Sequence, residues 1–148
     1  MVITRMSEPV PGVQAMMPEV RSDNELVSEQ IPDHLDFVGP GWHPLLLRLH
    51  ERLLAVSPTY RVQQVKEKYG TLRVQLYTGL LRHLNMGNTD WPDPGQSARY
   101  KAEDDAAREL VHAAERESAG ICESCGNPGA PRERAWIKTL CDDCAGCR

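Results

Sequence analysis

Apolar residues recur at helical spacing over Leu46, Leu49, Leu53 and Val56, with Leu45, Leu47 and Leu54 widening the stripe. This predicts a helix over residues 43–57. Pro44 falls in its first turn, where a missing N–H costs nothing, and Pro58 ends it. The period then changes from 3.6 to 2. Leu72, Val74 and Leu76 alternate with Arg73, Gln75 and Tyr77, and the preceding Tyr60–Val65 stretch is rich in β-formers. An antiparallel hairpin over 59–77 follows, with Lys66 to Thr71 as its connection and Gly70 available for positive φ. Residues 85–97 are polar and turn-rich and predict a long loop, from which Trp91 is expected to fold back onto the body. Ser97 can cap a second long helix over 98–118 that ends before Gly120. Ala102, Ala106, Leu110 and Ala113 lie along one of its faces, with Ala107, Val111 and Ala114 beside them, and this small-residue face is expected to pack on the hairpin.

Residues 1–30 hold Pro9, Pro11 and Pro18, scattered methionines and many acids, with no persistent period. They read as a disordered N-terminal arm. Residues 31–120 form the predicted body, and 121–148 a separate C-terminal module. The expected fold class is α+β: a small helix–hairpin–helix body with, on the paired cysteines Cys122-x-x-Cys125 and Cys141-x-x-Cys144, a C-terminal zinc ribbon. A chain of 148 residues with 41% hydrophobic and 26% charged content fits a soluble globular protein. No long apolar run predicts a membrane span or a secretory signal, so a cytoplasmic location without membrane association is expected. The net charge of −4 is unevenly spread. Residues 42–82 carry seven basic and two acidic groups, whereas residues 1–41 and 83–120 are both acidic.

The candidate chemistry lies at the end of the chain. Cys122, Cys125, Cys141 and Cys144 follow the spacing C-x2-C-x15-C-x2-C. Two cysteines three apart on a tight turn aim both sulfurs at one point, and two such turns make the tetrahedral four-sulfur cage that Zn²⁺ accepts. One structural zinc ion is therefore the expected cofactor, within a ribbon whose second strand runs from Arg134 to Leu140. Cys147 lies three residues after Cys144 and could replace it as the fourth ligand. Four thiolates leave no open coordination position, so the centre is structural. Metal removal is expected to melt residues 121–148 and leave the body largely intact.

The five histidines match no metal motif and read as surface or capping residues. No phosphate loop, nucleophile elbow or HExxH pattern is present, so no catalytic residue is assigned; an enzyme of unknown class is the least favoured reading. The hairpin groups Arg61, Lys66, Lys68 and Arg73 with Tyr60, Tyr69 and Tyr77, a surface that could carry a nucleic-acid backbone or be an ordinary solvated sheet face.

Four strings stand out: Gly41-Trp42-His43-Pro44-Leu45, Lys66 to Arg73 (KEKYGTLR), Cys122 to Gly126 (CESCG) and Trp136 to Cys141 (WIKTLC). Together they resemble a group of small uncharacterised phage, prophage and bacterial proteins that pair a KEK(F/Y)G-x-LR hairpin with a C-terminal four-cysteine zinc ribbon. The resemblance implies the fold and the zinc site, and a mobile-element setting in which a binder of host protein or nucleic acid is expected. The favoured expectation is a non-enzymatic zinc-binding adaptor or regulator with an unidentified protein partner. The alternative is a nucleic-acid-binding zinc-ribbon protein using the basic hairpin. In either case Lys66, Lys68, Tyr69 and Arg73 are the candidate partner-binding residues, on a face shared with the ribbon. Oligomeric state is left open.

Overall fold

The computed structural model describes residues 29–133 and 135–146. Cys147 and all but the last two residues of the expected arm lie outside them. Glu29 and Gln30 are bonded to the body: the Glu29 carbonyl accepts from the Val62 N–H (2.6 Å), and the Gln30 side-chain amide donates to the Tyr60 carbonyl (2.9 Å).

Two 3-10 turns, Ile31–Phe37 and Pro40–Trp42, lead into helix α1, His43–Val56. Its buried stripe is Leu45, Leu46, Leu49 and Leu53, while Leu47, Leu54 and Val56 stay exposed. The helix stops one residue before the expected end because Ser57 has left helical geometry (φ −151°).

Strands β1, Arg61–Lys68, and β2, Thr71–Tyr77, pair antiparallel. The predicted connection is corrected here: Lys66, Glu67 and Lys68 belong to β1, and the turn is only Tyr69-Gly70. Both turn residues have positive φ (56° and 84°), as the two-residue hairpin turn that matches strand twist requires. Glu67 closes the turn by accepting from the Gly70 N–H (2.7 Å). The register shifts between Val62 and Gln64, and this bulge lets Val62 and Val65, three apart, both enter the core. Leu72 and Val74 join them from β2.

Helix α2, Gly79–Asn85, has no counterpart in the predicted elements. At seven residues it is too short to show a period. It is held by Arg82, whose guanidinium pairs with Glu103, a carboxylate that also accepts from the Ser57 hydroxyl. Helix α3 runs over Pro94–Ser118, starting four residues before the predicted 98. Asp93 caps it, accepting from the Gln96 N–H (2.8 Å), with Pro94 in the first turn; Ser97 is inside the helix and donates to the Pro92 carbonyl. An Asp-Pro pair outranks a serine as a helix start, although Pro94-Gly95 by itself reads as a turn. The buried positions of α3 are Ala107, Val111, Ala114 and Ser118, so the flanking row is the true core face; Ala102 is exposed. α3 packs on α1 and α2 as well as on β2. Trp91 does not fold back: it is 70% exposed on the loop before α3.

A two-stranded sheet is marginal by itself and presents unpaired edge groups. α3 covers that edge. Its Ser118 hydroxyl accepts from the Leu72 N–H (2.8 Å), and its Glu115 carboxylate accepts from the Val74 N–H (3.0 Å).

At the opposite side of the core, the buried Tyr60 hydroxyl accepts from the Ile31 N–H (3.0 Å) and lies 2.6 Å from His50 Nδ1. Burial pushes this phenol up to about 12. Tyr60→Phe strands the Ile31 N–H and is expected to cost about 1–3 kcal/mol in denaturant unfolding; an unchanged midpoint would contradict this role.

Candidate metal centre and its docking joint

α3 delivers the chain to the first cysteine pair. Cys122 and Cys125 flank a tight turn in which the Gly126 N–H donates to the Cys122 carbonyl (2.9 Å), with Gly126 at φ 88°. The second pair follows a short ladder. Strands β3, Ala130–Arg132, and β4, Lys138–Leu140, pair antiparallel, and helix α4, Asp142–Gly146, begins directly after Cys141. The strand expected from Arg134 to Leu140 is thus only its last three residues. Ala135, Trp136 and Ile137 lie outside the ladder, whose pairing extends only opposite the equally short β3. The Cys144 N–H, on α4, points at Cys141 Sγ (3.4 Å).

The four sulfurs of Cys122, Cys125, Cys141 and Cys144 all lie within 4.8 Å of one another, and Cys125 and Cys141 Sγ are 3.6 Å apart. Tetrahedral coordination with metal–sulfur bonds of about 2.3 Å sets sulfurs about 3.8 Å apart, so the arrangement can hold one metal ion. Burial pushes the Cys122 thiol up, but the backbone N–H groups of Cys141, Cys125 and Ser124 outweigh it and bring the group down to about 6. Cys144 is held well above the usual thiol range by the sulfurs of Cys141, Cys122 and Cys125 around it. Cys122 is thus disposed to carry charge while Cys125 and Cys144 resist it, a conflict that a dication at the site would relieve. The buried apolar content of this module is Cys122, Leu140 and Cys141, with Cys144 and Ala145 against them. Such a core is too small to hold the segment by itself.

Glu123 joins the two halves of the module. Its N–H donates to the Thr139 carbonyl (3.0 Å), and its buried carboxylate accepts from the Thr139 N–H (3.0 Å) and from Lys138 Nζ (3.2 Å). The same residues bind the body. The Glu123 carbonyl accepts from the Gly41 N–H (2.9 Å), and the Ile121 carbonyl accepts from Nε1–H of the buried Trp42 (2.9 Å). On the other flank, Thr139 Oγ1 donates to the Gly70 carbonyl (2.5 Å). No side chain fits at Gly39 or Gly41: a Cβ there would run into the Glu123 and Cys122 carbonyls. The four strings that stand out in the sequence are the four pieces of this joint.

Of the candidate recognition residues, Lys66 and Arg73 stand opposite each other across the hairpin, Lys68 stands opposite Thr71, and Tyr69 projects from the tip. Glu67, between the two lysines, faces the other way. Histidine is absent from the metal-binding group found among the described residues. His43 and His50 instead contact the Val38 carbonyl and Tyr60. No helix among the described residues is long and apolar enough to cross a membrane. Comparison with protein-family models, curated proteins and solved structures finds no match.

Glu123, Thr139 and the Gly39/Gly41 pair are the residues that spacing rules do not single out; for Glu123, Thr139 and Gly41, only their place within the four strings marks them. Gly41→Ala is expected to lower stability by about 1–3 kcal/mol through overpacking and to weaken metal retention against a chromophoric chelator. Gly146→Ala, which meets nothing within 4 Å, is the control and is expected to change neither.

Proposed function

We propose that the protein is a zinc-stabilised nucleic-acid-binding module, in which the metal is structural and the outer face of the β1–β2 hairpin contacts phosphate. Zinc is favoured by the donor set: four sulfurs within 4.8 Å of one another and no competing oxygen or nitrogen ligand in the group.

The observation that carries the nucleic-acid reading is the composition of one face. The residues of β1 and β2 that point away from the core are Arg61, Gln64, Lys66 and Lys68 on one strand and Thr71, Arg73, Gln75 and Tyr77 on the other. They include four cations and no carboxylate. The acids of this region are engaged elsewhere: Glu67 closes the turn on the core side, Glu123 is buried, and among the described residues only Glu115 approaches, 3.9 Å from Arg73. In a chain of net charge −4, a face whose own residues include four cations and no acid is the footprint expected of a polyanion site.

The adaptor reading retains one specific support. Leu81 and Leu84 of α2 and Met86 just after it are exposed, and Leu81 borders a cleft of about 230 Å³ floored by Val74, Leu76 and Val111. A protein ligand held by apolar contacts to Leu81, Leu84 and Met86 would bind with little dependence on salt, although Asp104, Arg108, His112 and Glu115 also line the cleft.

Salt titration separates the two. With three to four phosphate contacts, the logarithm of affinity for a single-stranded oligonucleotide is expected to fall against the logarithm of salt with a slope of about −2 to −3. The triple reversal Lys66→Glu, Lys68→Glu and Arg73→Glu is expected to abolish this binding with little change in melting temperature, since all three side chains are on the solvent face. Equal binding by the reversed protein would reject the reading.

A further inference from the structure

Two large aromatic side chains stand in solvent beside the docking joint. Tyr69, at the hairpin tip, is 69% exposed, and Trp136, in the connection before β4, is 64% exposed. Their chain neighbours touch. A Cβ built on Gly70 would lie 3.1 Å from Ile137 Cγ2, and the Gly70 carbonyl takes the Thr139 hydroxyl. Tyr69 and Trp136 are therefore each one position away from the same contact, between Gly70 and Ile137.

The backbone at Tyr69 adds a second observation. It has φ 56°, the only positive value at a non-glycine position among the described residues. Asparagine, aspartate or glycine fill such turn positions at lower cost, and a bulky residue there is an outlier. The ring contributes nothing to the core in return. Lys68 Nζ lies 5.6 Å over its centroid and belongs to the cationic face described above.

We infer that Tyr69 and Trp136 form a base-stacking platform, which makes the ligand of the cationic face a single strand rather than a duplex. This inference rests on the nucleic-acid reading of that face. In a duplex the π-faces of the bases are taken by their neighbours, so two rings outside the grooves find nothing to stack on. In a single strand every base offers a face, whatever its identity, while the backbone is held by the adjacent cations. Trp91 gives an internal control. It is equally exposed but precedes Pro94, whereas the joint follows Ser118 at the other end of the 25-residue α3, roughly 37 Å away.

The test uses the full-length, zinc-loaded protein and a fluorescein-labelled 12-nucleotide single strand, compared with the duplex of the same sequence by anisotropy. The single strand is expected to bind at least tenfold more tightly. Tyr69→Ala and Trp136→Ala are each expected to weaken it by roughly 5- to 150-fold. Tyr69→Phe and Trp136→Phe, which keep a ring in the same backbone, are expected to stay within about threefold of the parent protein, as is Trp91→Ala. With Trp91→Phe in place and Trp42 buried, Trp136 emission is expected to be quenched by the single strand. Equal affinity for duplex and single strand, or alanine variants that bind as the parent does while the charge reversal still abolishes binding, would overturn the stacking platform and leave the nucleic-acid reading standing. Phenylalanine variants as weak as the alanine ones would also overturn it. Binding of neither nucleic acid, at low salt, would remove both.

Discussion

The peptide segment Ile121–Glu123 is gripped from three directions, and most of the architecture depends on that grip. Its carbonyls receive Nε1–H of Trp42 and the N–H of Gly41 from the body, its Glu123 backbone and carboxylate hold Thr139 of β4, and Cys122 supplies a sulfur to the metal group. A segment bound this way cannot shift without disturbing the core, because Trp42 is a fully buried core residue. The requirement also explains the glycines at 39 and 41. The turn before α1 approaches the cysteine turn backbone to backbone, and a single methyl group would separate them.

This joint recasts the metal's role. A four-sulfur site with a closed shell does no chemistry on a substrate, and by itself it would explain only how the two cysteine turns are held together. Because the second cysteine pair follows β4, and β4 carries the threonine that donates to the Gly70 carbonyl, a metal ion held by the four sulfurs would also set the position of the hairpin tip. The cationic face and the aromatic tip are thus presented by a scaffold whose last constraint is the four-cysteine group. The electrostatic logic agrees. The acids near the hairpin are turned inward to close the turn, cap the β2 edge or clamp β4, and the outward face keeps its positive charge within an acidic protein.

Much of this is legible in the sequence. Helical spacing of leucines marks α1, alternation marks β2, and cysteine spacing marks the metal group, because each is a local signal with a fixed period. What escapes depends on tertiary partners. Lys66 to Lys68 resemble a connection because Tyr69-Gly70 lacks the usual asparagine or aspartate of a tight hairpin turn; the turn is held by Glu67 and by packing on Ile137 instead. α2 carries no period in seven residues and owes its place to the Arg82–Glu103 pair across the fold. The core face of α3 is displaced by one position from the expected row because two alanine rows are equivalent until α1 and β2 choose between them. The four strings are recognisable as patterns, but their meaning as one interface appears only when Gly41, Gly70, Glu123 and Thr139 meet.

The central claim, that the metal module and the body form one cooperative unit, differs from the simpler expectation of a melting tail on a stable domain. Amide exchange of Leu72 and Val74, measured by NMR on zinc-loaded protein before and after chelation, tests it most directly, since both amides lie in the body and bond only to α3. The account predicts that their protection falls with that of Gly41 and Thr139 and that the protein unfolds in a single, lower transition. Full protection at Leu72 and Val74 after the metal is removed, with the body's transition unchanged, would contradict it.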